Sequence, residues 1–483
     1  MPVSPAFISA VVARHHPRLI VAAASVAVLA ATAAPAAAAP GAGDAAAAAQ
    51  APPSLFVWGG NPWGGLGIGT NADEEDAPIP VALPSAVRQI SASVADTSAA
   101  VLANGTVATW GTNTAGQIGD GTTTERDSPF VVPGLTGITQ VSVAFGHDLA
   151  LDSAGTIWAW GDNYYGELGN GTTSQINGSN PTPVPVPGLT GVTRVAAGAG
   201  FSLALRSDGT VWAWGRNQHG ELGDGTTVDH DRPERVPGLS GIKTIAAGAA
   251  TSYAVRADGS LLAWGDNSDG LLGNGATTGM SAIPVLVPGP TGVTQVSSDL
   301  YGTLAVAGPA GTVWGWGHNY NGQLGDGTTA AHYTPEQTGL SGVSQIAAGR
   351  LVSVAALANG TVMTWSENTS GELGTGTKDG DLHPSPVLVR TLAGASQVAA
   401  GWEYALAVAS PAPRVPSVIG YSQSDAAQVL QAAGYVLGRV AIVVDLTCEY
   451  LGEVKTQTPP AGTIDPPGTR VNVTIGKAGG KCL

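Results

Sequence analysis

The chain is poor in charge, in cysteine and in recognisable catalytic signatures. Only 11% of its 483 residues are charged, so helical faces laced with salt bridges are not its theme. Twenty Lys and Arg are scattered against 35 Asp and Glu, leaving a net charge of −15 and no basic cluster to neutralise phosphates, which argues against a nucleic-acid partner. The two cysteines, Cys448 and Cys482, have no His nearby and make a poor zinc site. HExxH, G-x-S-x-G and P-loop patterns are all missing. Helix formers are sparse between residues 55 and 409, where Val, Thr, Trp and Ile recur in short runs, a composition that favours strands. Beyond the N-terminus no stretch approaches the ~20 apolar residues that span a bilayer. At this length a single small domain is excluded, while one large repeat domain is not.

Glycine is abundant, with 69 residues and no G-X-Y period, so it marks tight turns rather than collagen. Residues 1–39 read as a secretory signal. Arg14, His15, His16 and Arg18 form a basic start, Leu19–Pro35 an apolar run, and Ala37-Ala38-Ala39 a cleavage site before Pro40. No cysteine follows the apolar run to accept a lipid. Residues 40–53 are an Ala/Gly/Pro linker, expected to be disordered.

A frame recurs from Trp58 to Gly376. Around Trp214 it runs Gly at +1, Asn at +3, Gly at +6, Leu at +8, and Gly at +9 and +11. It begins again at Trp58, Trp110, Trp160, Trp264, Trp316 and Trp365, with spacings of 49 to 54 residues. A period near 50 is the mark of a propeller or solenoid. One unit reads as strand A (Val192–Gly198), strand B (Phe201–Arg206), an Asp208-Gly209 hairpin turn, strand C (Thr210–Trp214), a glycine-marked loop, and a proline-bearing edge strand D (Arg232–Pro237). The array opens with a C–D pair, Leu55 to Leu83, and closes with an A–B pair, Val398 to Ala409. Joined, they complete a seventh blade and leave no open edge, which predicts an all-β, closed seven-bladed β-propeller of four-stranded blades over 54–409.

Stretches such as Phe201-Ser-Leu-Ala-Leu-Arg-Ser-Asp-Gly-Thr-Val-Trp-Ala-Trp-Gly-Arg-Asn-Gln-His-Gly-Glu-Leu-Gly223 resemble the repeat of the regulator of chromosome condensation family, whose fold is a seven-bladed propeller. After Pro411-Ala-Pro413 the character changes. Val415-Pro-Ser-Val-Ile-Gly420 is extended, Ser422-Gln-Ser-Asp425 resembles a capping box, and Ala426, Val429, Leu430 and Ala433 fall at helical spacing before Gly434. Strand-like runs follow at Val436–Val444, Glu453–Thr458 and Arg470–Ile475. Residues 414–476 resemble the PASTA module of penicillin-binding proteins and bacterial serine/threonine kinases, a small α+β domain. A tail, 477–483, carries Cys482. In an exported chain a Cys448–Cys482 disulfide is the expected state, worth roughly 3 to 4 kcal/mol on the chain-entropy model.

Residue types present in every blade serve the blade: the tryptophans pack between sheets, the asparagines fix turns, and the glycines permit close approach. Asp120, Asp224 and Asp326, with Asn170 and Asn274, sit where calcium ligands could, but each loop offers one such side chain and calcium wants six or more oxygens. No metal, cofactor or catalytic set is assigned. The unrepeated positions are more informative. A–B and C–D connections lie on one face, and there the sequence gathers Trp63, Phe145, His147, Tyr164, Tyr165, Phe201, His219, Tyr301, Tyr320, Arg350 and Trp402 as binding candidates.

The leading expectation is a secreted, non-enzymatic, monomeric binding protein of the bacterial envelope. Its propeller face would bind a protein or glycan. The PASTA resemblance implies association with peptidoglycan. Inhibition of a secreted enzyme such as a β-lactamase is an alternative, since a propeller-type inhibitor shares this repeat. A propeller lyase or glycosidase acting on wall polysaccharide is another. Guanine-nucleotide exchange and chromatin binding, as in the family's founding member, fit poorly with an acidic, exported chain that has no long blade insertion.

Overall fold

A computed structural model describes residues 53–175, 178–465 and 468–479. The chain parts after Pro413 into two compact units. The expected signal and most of the linker lie outside the described residues, as does Cys482 with its expected bond to Cys448.

The first unit is seven antiparallel four-stranded sheets. Blades 1 to 6 begin at Val87, Ile138, Val192, Ile242, Val293 and Val343, each running A to D from the inner strand outward. In blade 3 the strands are Val192–Ala197, Phe201–Arg206, Val211–Gly215 and His230–Arg235. Blade 7 is built from both ends of the array. Ser54–Gly59 lies antiparallel to Tyr404–Pro411, paired from Ser54 with Ala409 to Gly59 with Tyr404. Glu75–Val81 and Leu392–Ala400 flank them. The two incomplete pairs therefore form one sheet and close the ring through backbone hydrogen bonds.

The repeated residues knit neighbouring blades. All seven frame tryptophans are fully buried. The indole N–H of Trp214 donates to the Glu167 carbonyl of blade 2 (2.7 Å), and that of Trp264 to the Glu221 carbonyl of blade 3 (2.8 Å). Trp58 makes the same bond to Glu372 (2.9 Å) across the closure. A Cβ on Gly223, whose φ is +68°, would lie 2.6 Å from the Trp264 ring, so glycine is what lets this indole seat. Asn217 holds its loop from inside. Its side-chain oxygen accepts from the Leu222 N–H (2.9 Å), and its amide donates to the Thr226 carbonyl (3.3 Å). A second seam lies on the inner strands. Gln140 donates to the Val195 carbonyl (2.8 Å) and accepts from the Val195 N–H (3.1 Å), so one amide clasps the next blade's peptide from both sides.

Blade 6 departs from the frame: Ser366 stands where the other blades carry glycine, at φ 104°, and its hydroxyl donates to the Asn321 carbonyl (2.9 Å). The second unit packs one helix, Gln423–Ala432, on a three-stranded sheet in which Arg470–Ala478 lies between Val436–Asp445, parallel to it, and Val454–Thr458, antiparallel. Ser422 caps the helix by accepting from the Asp425 N–H (3.2 Å). Ala426 and Leu430 face a core of Val415, Val418, Val454, Val471 and Val473. Among the described residues no helix is long and apolar enough to cross a membrane.

Candidate functional site

Each blade's A–B turn meets the start of its own C–D loop. Asp162 N–H donates to Gly146 O (2.8 Å), Arg216 N–H to Gly200 O (2.7 Å) and His318 N–H to Tyr301 O (2.7 Å). Turn and loop thus rise together on one face, and two clusters of side chains form there.

The first spans blades 5, 6 and 7, whose A–B turns supply Tyr301, Arg350 and Trp402. The Arg350 guanidinium stacks 3.7 Å from the Trp402 ring centre and lies 5.8 Å from that of Tyr301. The row continues from Tyr301 to His318 (6.0 Å, planes 11° apart) and on to Tyr320 (4.8 Å). His318 also pairs with Asp269 of blade 4 at 3.0 Å. Tyr320 is 65% exposed. None of the ion pairs found among the described residues uses Arg350. Its charge is instead felt by Asp299, Glu367 and Glu403, whose carboxyl groups it opposes in their upward shift. Burial pushes Asp299 up to about 7. Burial, then Glu372, Glu74 and Glu367, push Glu403 up to about 7.

The second cluster belongs to blades 2 and 3. Tyr164 and Tyr165 meet edge to face at 4.7 Å, and Arg216 lies 5.8 Å from the Tyr165 ring centre. Arg216 is largely buried, 3.6 Å from the Glu221 carboxylate and 3.1 Å from His219 Nδ1. A cleft of about 360 Å³ opens beside the two tyrosines, lined also by Thr173, Asp229, His230 and Asp231. Beneath, the Glu167 carboxylate accepts from the Tyr165 N–H (2.8 Å), and burial, with Asp162 adding, pushes it up to about 8.

The predicted candidates therefore separate. Tyr301, Tyr320, Arg350 and Trp402 come together, as do Tyr164, Tyr165 and His219. Trp63 and Phe145 are partly buried. Phe201 and His147 are corrected: each is the first residue of a B strand, turned into the ring, with 0% and 1% exposure. His147 Nε2 is spent on the Ser202 hydroxyl at 2.8 Å, and burial drives it down to about 3. Aromatic type alone does not point to Arg216, His318, Asp299, Glu367 or Glu403. Arg216 and His318 each stand two residues beyond their blade's frame tryptophan, a variable place that could have been read.

The loop aspartates close turns. Asp224 accepts from the Thr226 N–H (2.8 Å) and pairs with His230 (2.8 Å), and Asp326 treats Thr328 and His332 alike. Among the described residues no group of three or more His, Cys, Asp or Glu is placed to hold a metal ion.

Comparison with known proteins matches residues 25–298 to the RCC1-like domain, 310–356 and 359–408 to the regulator of chromosome condensation (RCC1) repeat, and 413–477 to the PASTA domain. The chain is 34% identical over 167 residues to the ultraviolet-B receptor UVR8 of Arabidopsis thaliana, covering 34% of this chain and 36% of the receptor. It is 30% identical over 183 residues to the human E3 ubiquitin-protein ligase HERC2, covering 37% of this chain and 4% of the ligase. The chain thus spans about a third of the first relative and far less of the second. Among solved structures, human WBSCR16 superposes with a TM-score of 0.65 at 23% identity, over 74% of this chain and 98% of that one. Prp20p of Saccharomyces cerevisiae does so with 0.65 at 21%, over 78% and 94%. These two share the fold.

Proposed function

The chain belongs to the RCC1-like domain family and carries a PASTA domain after it in sequence, and on that premise we propose that it is a secreted, non-enzymatic binding protein of the bacterial envelope. The observation that carries this reading is the row Trp402–Arg350–Tyr301–His318–Tyr320. It draws side chains from three successive blades onto one face, and its central cation is left without an ion-pair partner among the described residues. Rigid scaffolds that display unrepeated aromatics and arginine use them as interface anchors. In the same reading the PASTA domain associates with peptidoglycan and the Cys448–Cys482 bond closes its tail.

The test uses the full mature chain as bait on an envelope extract, beside the Trp402→Ala/Tyr320→Ala variant. Partners retained by the parent and lost by the variant support the reading. An identical set from both sinks it. The wall clause is tested apart, by co-sedimentation of the full chain and of a chain ending at Pro413 with purified peptidoglycan. Equal sedimentation of the two removes that clause.

A further inference from the structure

Charge divides the two faces of the ring. On the aromatic face every C–D loop carries a carboxylate, from Glu74 in the first to Glu367 and Glu372 in the last, and the A–B turns add Asp96, Asp299 and Glu403. Against them those loops and turns hold only Arg216, Arg350 and Lys378, and Lys378 is paired with Glu74 at 2.8 Å. On the opposite face the B–C turns and D–A connections of blades 1 to 6, with the 82–86 link, hold Asp208 and Asp258 against Arg390. The acidity of the chain is thus concentrated on the face that also carries the exposed rings.

A solvated acidic rim would leave its carboxylates in water, and several here are buried, two of them with an oxygen that has no hydrogen-bond partner among the described residues. Asp299, 4% exposed, receives the N–H groups of Tyr301 (3.0 Å) and Gly302 (2.6 Å) on one oxygen, while Oδ2 has no hydrogen-bond partner. Asp96, 7% exposed, has Oδ1 in the same state and a φ of 60°. Buried acceptors without donors and a residue held at positive φ are costs that persist where a site is kept ready for a ligand. A bound cation answers the mutual repulsion of the carboxylates around Glu403. Carboxylates beside exposed aromatic faces are the setting in which Lys and Arg heads bind while their stems lie on the rings.

We propose that this face takes a basic protein segment, with lysine and arginine heads seated on the part-exposed Glu367 and Glu403, where Arg350 alone now opposes the carboxylates, and their stems along the row of rings that ends in Tyr320. The inference rests on the binding-face reading above and names the partner's chemistry. A polyanion is repelled here, and a neutral glycan supplies no charge to offset the carboxylates. Protonation competes with such a partner. Glu403, pushed up to about 7 by burial first and then by Glu372, Glu74 and Glu367, also faces Asp96, with Arg350 opposing the rise. A cation binds its ionised form, so affinity rises as pH rises through 7.

The probe is a fluorescent octalysine peptide, titrated onto the full chain by anisotropy at low salt. Glu367→Gln/Glu403→Gln is expected to weaken binding about tenfold or more, while Glu367→Asp/Glu403→Asp stays within about threefold. Asp208→Asn/Asp258→Asn removes the same formal charge from the other face and is expected to change affinity less than about twofold. Binding by the parent is several-fold tighter at pH 8 than at pH 6, a difference the Gln pair reduces. Equal weakening by the two neutralised pairs, or none by Glu367→Gln/Glu403→Gln, overturns the proposal. Should the envelope partner need Trp402 and Tyr320 yet ignore Glu367→Gln/Glu403→Gln, the charge inference falls and the binding face stands. Octalysine failing while Trp402→Ala/Tyr320→Ala captures all that the parent does removes both.

Discussion

Arg216 and Arg350 occupy one face of one ring, and each lies 5.8 Å from a tyrosine ring centre. Their surroundings separate them. Arg216 is sunk between Glu221 and His219, an internal counterion to a carboxylate that is itself buried. Arg350 is spread on Trp402, part-exposed, and in none of the ion pairs found among the described residues. The difference shows what the blade loops do with charge: the floor of a loop consumes it for stability, and the rim presents it.

The largest expected consequence is for stability. Arg216→Ala strands the Glu221 carboxylate and is expected to cost about 3 kcal/mol in urea denaturation, whereas Arg350→Ala changes stability by less than about 1 kcal/mol. Comparable losses at the two positions would erase the contrast. The floor can also be probed by pH. Glu167 sits at about 8 in the folded chain against an ordinary value of 4.5, so the native state holds its proton more tightly than the unfolded one. Its penalty is absent below 4.5 and grows as pH climbs to 8. Gln117 and Gln323 fill the matching place in blades 1 and 5, each accepting the backbone N–H two residues before it (2.7 and 3.0 Å). Glu167→Gln is therefore expected to match the parent at pH 4 and exceed it by roughly 2 kcal/mol at pH 8, and a pH-independent difference would contradict this.

A smaller effect is expected at Ser366, beside Glu367. Replacement by Ala keeps the φ of 104° and loses the hydroxyl bond to Asn321, while Gly loses the bond but relieves the backbone. Ser366→Gly should melt above Ser366→Ala by about 1 kcal/mol of stability, and the reverse order would show that the position is unstrained. The smallest is at the rim: Tyr320→Ala, at 65% exposure, is expected to leave stability within ~0.5 kcal/mol while lowering partner retention.

The scaffold was legible because it repeats. The Trp214 frame, the blade count and the joining of Leu55–Leu83 to Val398–Ala409 follow from positions recurring near every 50 residues. The inner-strand glutamines Gln89, Gln140, Gln295, Gln345 and Gln397 recur at that period too, but a glutamine in a strand carries no strong propensity signal and its bonds run to another blade's backbone. The face was legible only in part. Aromatic type found Tyr301, Tyr320 and Trp402, yet type alone cannot separate Phe201, turned inward, from Tyr320, turned outward. Asp299 and Glu403 escaped because a carboxylate becomes informative only through its burial and its neighbours, which sequence spacing does not contain.

The central claim is that the A–B and C–D side of the ring is the binding surface. Its most direct test is hydrogen exchange of the full chain with and without the partner retained from the envelope extract. Protection is expected in turns 299–301, 349–351 and 401–403 and in loops 318–331 and 367–382, with turns 207–210 and 257–260 unchanged. Protection confined to those opposite turns would contradict the account.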